Sequence, residues 1–546
     1  MEGTAQSAPI PKSIWEANLN QYPTPGLVSE KQGQGFIVLW SIVVLSPILC
    51  RSHPPDCMAQ PAIGIKRELE SNKGNSEGPQ PEAAMTLVQK MAEFVAASTF
   101  DQISEKGREQ LKIRVLDALA CAIGALDEDT VRIVRAHSQS FGSEGNCTLI
   151  GGGNAAQDRV AFYNGTLVRY LDFNDSYLAK GETCHPSDNV APVLAAAEFA
   201  GRGGRDFLTA LAVAYQVQCR LSDVAPVRAK GFDHTTQGSY AVAAGVSRAL
   251  GLNPEQTANA IAICGTAFNA LRVTRTGALS HWKGLAYPNT AFGCTHAALL
   301  AMRGITGPQE VFEGNKGFMD SISGRFQISW REENLERVKR TIVKKYNSEI
   351  HSQSSIEALL ELKRETAFKP ADIDAIDLET FDVAYHIIGG GEEGEKMTVR
   401  TKEEADHSLP YLLAVAALDG GVMPEQYRPE RIRRQDVQDL LRKVHVRENE
   451  EFSRRFPDEM PCRITVHLND GRPLIKSKRD YEGFHTRPAG WETVMAKFQR
   501  LSEPFITEPL RNEIAETISG LEDAPVSKLA GLLGQVRASE GSTRVL

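Results

Sequence analysis

The polar residues of segment 170–189 are the first in this chain that could do chemistry. The segment reads Tyr-Leu-Asp-Phe-Asn-Asp-Ser-Tyr-Leu-Ala-Lys-Gly-Glu-Thr-Cys-His-Pro-Ser-Asp-Asn. It holds Asp172, Asn174, Asp175, Ser176, Lys180, Glu182, His185, Ser187 and Asp188. A helical pattern precedes it, and an Ala-rich apolar run, residues 190–200, follows. So dense a polar set between apolar helices predicts a pocket-lining loop, because buried polar atoms are costly unless paired. Pro186 fixes the chain after His185 and disfavours helix at His185 itself. Ser187 or Asp188 is placed to cap the helix that follows.

The same combination recurs further on. Asp233 and His234 come shortly before the apolar run that begins at Ala241. Arg272 and Arg275 follow, then Lys283 in Ser-His-Trp-Lys-Gly ahead of another apolar helix. Lys344, Lys345, Glu349 and His351 share one stretch, and Asp406, His407 and Tyr411 precede the helix near Leu412. At loop-to-helix junctions, free backbone N–H groups and the helix dipole favour anions. Lys and Arg there can clamp carboxylates, while His and Tyr supply proton transfer.

The elements that must position these residues divide the chain into four. Residues 1–84 are rich in Pro, Gly, Ser and Gln, and read as a leader or disordered segment. Their one apolar stretch, residues 36–50, is shorter than the ~20 residues a bilayer crossing needs. From 85 to 341 the periodicity is helical, with apolar helices at 207–217, 241–250, 254–265 and 291–302, and with Gly124 as a helix stop. Their many small residues suit close helix packing. From 342 to 485 the pattern becomes mixed. Residues 373–380 and 462–468 alternate as strands, Asn469-Asp-Gly is a turn, and helices occupy 354–362 and 412–418. Residues 486–546 return to amphipathic helices that rejoin the first helical domain. The fold class is therefore mainly α, a large all-helical domain with a smaller α+β lid domain.

Composition excludes several functions. The 546 residues carry a net charge of −8, which argues against a nucleic-acid surface. The nine cysteines show no Cys-x-x-Cys and no repeated spacing, so neither a disulfide framework nor a zinc site is indicated. A reducing compartment, cytoplasm or mitochondrial matrix, fits best, and no stable membrane insertion is expected. Gly151-Gly-Gly and the acidic run Gly389-Gly-Gly-Glu-Glu-Gly lack the nucleotide fingerprints and read as turns.

These motifs together resemble the MmgE/PrpD family, known for 2-methylcitrate dehydratases and cis-aconitate decarboxylases. The matching wording is Leu171-Asp-Phe-Asn-Asp-Ser with His185-Pro-Ser-Asp-Asn, and Leu279-Ser-His-Trp-Lys-Gly with Gly304-Ile-Thr-Gly-Pro. It continues with Lys344-Lys-Tyr-Asn-Ser-Glu-Ile-His-Ser-Gln, and with Ala405-Asp-His-Ser-Leu-Pro-Tyr and Leu418-Asp-Gly-Gly. The resemblance runs from about Met85 to about Leu501. It implies a homodimer whose active site lies between helical and lid domains and uses neither metal nor organic cofactor. Position by position it implies Asp172, His185, His234 and Tyr411 as catalytic residues. Ser176, Arg272, Arg275, Lys283, Lys344, Glu349 and His351 would hold the substrate. Glu349 stands where the decarboxylases carry a lid histidine, and the family's Pro-Lys-Gly-His stands altered as Glu482-Gly-Phe-His.

What the resemblance implies is removal of water from a citrate-type tricarboxylate. Such a reaction needs cations for the aci-carboxylate, a base for the α-proton and an acid for the leaving hydroxyl. The rival readings are decarboxylation of cis-aconitate to itaconate, dehydration of a longer alkylcitrate in biosynthesis, and a non-catalytic helical binding protein. A scaffold has no reason to keep costly buried charges, which favours the enzyme.

Overall fold

The computed structural model describes residues 85–142 and 145–537. The expected leader or disordered segment 1–84 lies outside the described residues.

Helix starts follow local capping chemistry. Thr86 accepts from Gln89 N while Gln89 returns a bond to Thr86 N, which starts Leu87–Ala97. Ser104 caps Glu105–Gly124, and Asn253 with Pro254 opens Pro254–Ala267. The helix from Glu105 ends at Gly124, as expected. A Cβ there would lie 3.1 Å from Leu501, so the glycine also admits the late helix Trp491–Ser502. Gly245 plays the same part where three helices meet. An added Cβ would sit 2.8 Å from Val193 and 2.9 Å from Ala214, so Val190–Phe199, Gly204–Val224 and Thr235–Leu250 approach one another at that point.

One apolar core runs through these helices from Val88 to Val343 and takes in Ala489 to Val536. A second core spans Ile356 to Leu468. It is built on a four-stranded sheet in the order Val444–Glu448, Ile373–Thr380, Cys462–Leu468, Pro473–Lys478. The first pair is parallel and the other two are antiparallel. Cys462, Ile464, Val466 and Leu468 point inward onto Gln353–Thr366 and Leu409–Asp419. The two edge strands were not legible as alternating runs, because Val444–Glu448 buries only Val444 and Pro473–Lys478 buries no residue fully. Between the cores a third cluster joins Leu178, Ile342 and Ile350 to Phe381, Phe452 and Tyr481.

The first helical region is not wholly helical. Tyr177–Ala179 and Glu182–Cys184 form a short antiparallel hairpin in the middle of the polar segment. Among the described residues, no helix is long and apolar enough to cross a membrane. All seven cysteines there are free and buried.

Candidate active site

The polar segment folds as a sequence of tight local turns. The helix Gln157–Tyr170 ends at Leu171, and Asp172 adopts φ +53°, a left-handed conformation that Asp tolerates better than most residues. The hairpin then carries the chain to His185, which is non-helical ahead of Pro186. A 3-10 turn, Pro186–Asn189, precedes Val190–Phe199. Neither Ser187 nor Asp188 caps that helix. Their side-chain oxygens instead accept from Asn174 Nδ2, and Ser187 N donates to Asp175 Oδ1. The segment is thus held by its own polar groups.

Asp172, His185, His234, Arg272, Arg275, Lys344, Glu349 and His351 line one cavity of about 50 Å³. Arg169, Glu182, Arg228, Glu393 and His407 line it too. The carboxylate of Asp172 lies 2.6 Å from Arg169 Nη1, 2.8 Å from Lys344 Nζ and 3.3 Å from Lys283 Nζ. Burial pushes its pKa up, but these three cations outweigh it and hold the group well below the ordinary value. Lys344 Nζ also donates to the carbonyl of Asp172, so two of its three hydrogens are committed.

His185 Nδ1 lies 2.8 Å from the carbonyl of Asp175 and 3.1 Å from Ser176 Oγ. A carbonyl only accepts, so Nδ1 carries the proton and Nε2 keeps its lone pair. Burial, reinforced by Arg169 and Lys344, holds the imidazole pKa well below its usual range, and His185 is neutral at pH 7. His234 holds the same tautomer for a different reason. Its Nε2 is 3.2 Å from Arg275 Nη2, which can only donate, so the proton is on Nδ1, a buried atom without a partner. Burial and Arg275 lower His234 to about 3, against the pull of Asp233. The two rings meet edge to face with centroids 5.3 Å apart. Arg275 is itself fixed by Asp233 at 2.8 Å.

From the lid side, Glu349 accepts from the backbone N and Nδ1 of His351, each at 2.7 Å. Burial raises the carboxyl, yet the neighbouring His351 prevails and leaves it at about 2. His351 Nε2 is buried without a partner. Lys283 stands behind Asp172 rather than in the cavity. Its ammonium is 2.7 Å from Asp406 Oδ1 and 3.0 Å from His407 Nδ1. Asp172, Asp406 and His407 bring their ligand atoms within 4.8 Å of one another, and the Lys283 ammonium fills the place a metal ion would take.

Ser176 is a supporting residue, touching His185 and not the cavity. Tyr411 does not reach the site. It is fully buried in the second core, and its hydroxyl donates to the carbonyl of Gln426. Its place on the helix Leu409–Asp419 turns the ring into the lid, although Asp406 and His407 just upstream face the other way. Sequence reading passed over Arg169, Arg228 and Glu393. The Arg169–Asp172 spacing of three residues was a legible signal. Glu393 lies in the glycine-rich run that reads as a plain turn, and its carboxylate is 2.6 Å from Arg272 Nη2.

Both parts of the chain match domains of one known family. Residues 89–331 match the MmgE/PrpD N-terminal domain and residues 346–523 the MmgE/PrpD C-terminal domain. The mitochondrial 2-methylcitrate dehydratase of Yarrowia lipolytica is 26% identical over 441 residues, 76% of this chain and 83% of its own length. The 2-methylcitrate dehydratase of Escherichia coli is 26% identical over 451 residues, 77% and 91% of the two chains. Alkylcitrate dehydratase phiI of a fungal species is 27% identical over 424 residues, 72% and 83%. With both domains matched in order around a cavity of histidines, cations and carboxylates, the chain belongs to the MmgE/PrpD family.

Proposed function

We propose that this protein is a hydro-lyase that removes water from 2-methylcitrate or a related 2-alkylcitrate. The observation that carries the reading is the neutral His185, its Nδ1–H committed to the Asp175 carbonyl and its Nε2 free beside a set of fixed cations. Nε2 takes the proton α to a substrate carboxylate. Arg275 and Arg272 hold the substrate's carboxylates and stabilise the aci-carboxylate that forms. The third N–H of Lys344 protonates the leaving hydroxyl. Nδ1–H of His234, a neutral donor, orients a substrate oxygen. Asp172 keeps Arg169 and Lys344 in place and offsets their charge.

The names of relatives support this chemistry: two are 2-methylcitrate dehydratases and one is an alkylcitrate dehydratase. The last, at similar identity, favours a second reading in which the substrate has a longer alkyl chain. One methylene changes discrimination by only about 1–3 kcal/mol, so the same catalytic set serves either. Glu349, a carboxylate held at about 2, is no proton donor to a carbanion at neutral pH, which counts against decarboxylation. The test is to offer purified protein 2-methylcitrate, citrate, a longer alkylcitrate and cis-aconitate, following products by ultraviolet absorbance and mass. Loss of water from 2-methylcitrate is expected. Activity on the longer alkylcitrate alone would select the second reading, and itaconate as the dominant product would overturn both.

A further inference from the structure

Glu393 is the acid of the cavity that stands apart from the rest. Asp172 and Asp233 are anchored at the ends of the long helices and hold Arg169, Lys344 and Arg275. Glu393 instead sits in a run with Gly389, Gly390, Gly391 and Gly394, where Gly390 and Gly394 have φ of +104° and +98°. Its backbone N–H bonds only within the same stretch, to the carbonyl of His386. Its side chain is nevertheless 6% exposed and reaches across to Arg272 and Arg228, which come from the helical region.

The pairing is incomplete for a purely structural bridge. Both arginines approach a single oxygen, Oε1, at 2.6 Å and 3.4 Å. Arg272 Nε is buried with no partner. A guanidinium offers Nε and Nη as a fork to the two oxygens of one carboxylate, and here one prong is unused. The cavity has room for a few waters and not for a six-carbon tricarboxylate, so a substrate must displace something to enter.

We propose that Arg228 and Arg272 form a carboxylate subsite and that Glu393 occupies it in the empty protein as a built-in surrogate for a substrate carboxylate. Binding is then an exchange of one carboxylate for another, with no buried cation left unpaired. Glu393 is the one to leave because its loop, unlike the helix ends that carry Asp172 and Asp233, is shaped by glycines. This inference rests on the tricarboxylate reading above.

The test uses propane-1,2,3-tricarboxylate, which lacks the hydroxyl and cannot be dehydrated, titrated calorimetrically into wild type and Glu393→Gln. Removing the competing charge is expected to tighten binding by about tenfold. Equal or weaker binding by Glu393→Gln overturns the proposal. Should that variant fail to fold, wild type decides through a glutamate-specific protease. Saturating tricarboxylate must speed cleavage in the 389–396 run, and unchanged or slower cleavage overturns the proposal. Failure of the dehydratase reading looks different: wild type then turns over no alkylcitrate while Glu393→Gln still binds the tricarboxylate more tightly.

Discussion

Replacing Asp172 by Asn tests the electrostatic frame of the site most directly. The carboxylate stands within 3.3 Å of three cations, Arg169, Lys344 and Lys283, and its side chain is 5% exposed. Asn keeps the shape and the left-handed backbone at φ +53° but leaves the buried Lys344 without a carboxylate partner, while Lys283 keeps Asp406 and Arg169 keeps Asp188. Stripping one partner from a buried ion pair costs about 3–5 kcal/mol, and Asp172→Asn should lose that much stability at about pH 7. Asp172→Ala should lose about 1–2 kcal/mol more, because Ala tolerates left-handed φ less well. The pH dependence has a definite sign. A carboxyl with a depressed folded pKa contributes stability that is fully present above its unfolded value and lost as pH falls through the folded value. Asp172 is held well below 3.8, so the gap between wild type and Asp172→Asn should stay constant from neutrality to about pH 4 and close only below it. Urea denaturation at a series of pH values measures this. A gap under about 1 kcal/mol, the size of an exposed pair, or one that closes above pH 5, would refute the reasoning.

Three further outcomes follow from the same geometry. His185→Gln should lower kcat by about 10²–10⁴-fold with a small change in KM, and wild-type kcat/KM should keep its acid limb well below pH 6.5, since burial holds His185 neutral; a limb at or above 6.5 in the kinetic profile would contradict the assignment. Lys283→Ala should open the Asp172, Asp406 and His407 cluster to a divalent cation, so zinc titration should find a site in the variant and none there in wild type, whose turnover should survive EDTA. Tyr411→Phe should keep wild-type turnover and lose about 1 kcal/mol for one buried hydrogen bond; a hundredfold fall in kcat would place the hydroxyl in the chemistry after all.

Much of this protein was already decided by its sequence. Local periodicity and caps dictated the helices, and alternation marked the two inner strands, because those patterns record which face is buried over a few residues. The crowding of His, Lys, Arg and Asp at helix entrances marked the stretches that build the site, and the motif order carried the family. What the sequence left open were the pairings made over long separations. Lys344 meets Asp172 across 172 residues, Arg272 meets Glu393 across 121, and Lys283 meets Asp406 across 123. No periodic pattern encodes such contacts. They depend on how two cores close on each other. The same holds for orientation: Tyr411 shares a motif with His407 yet turns into the lid core, and the tautomers of His185 and His234 follow from a carbonyl and a guanidinium that only the tertiary fold brings beside them.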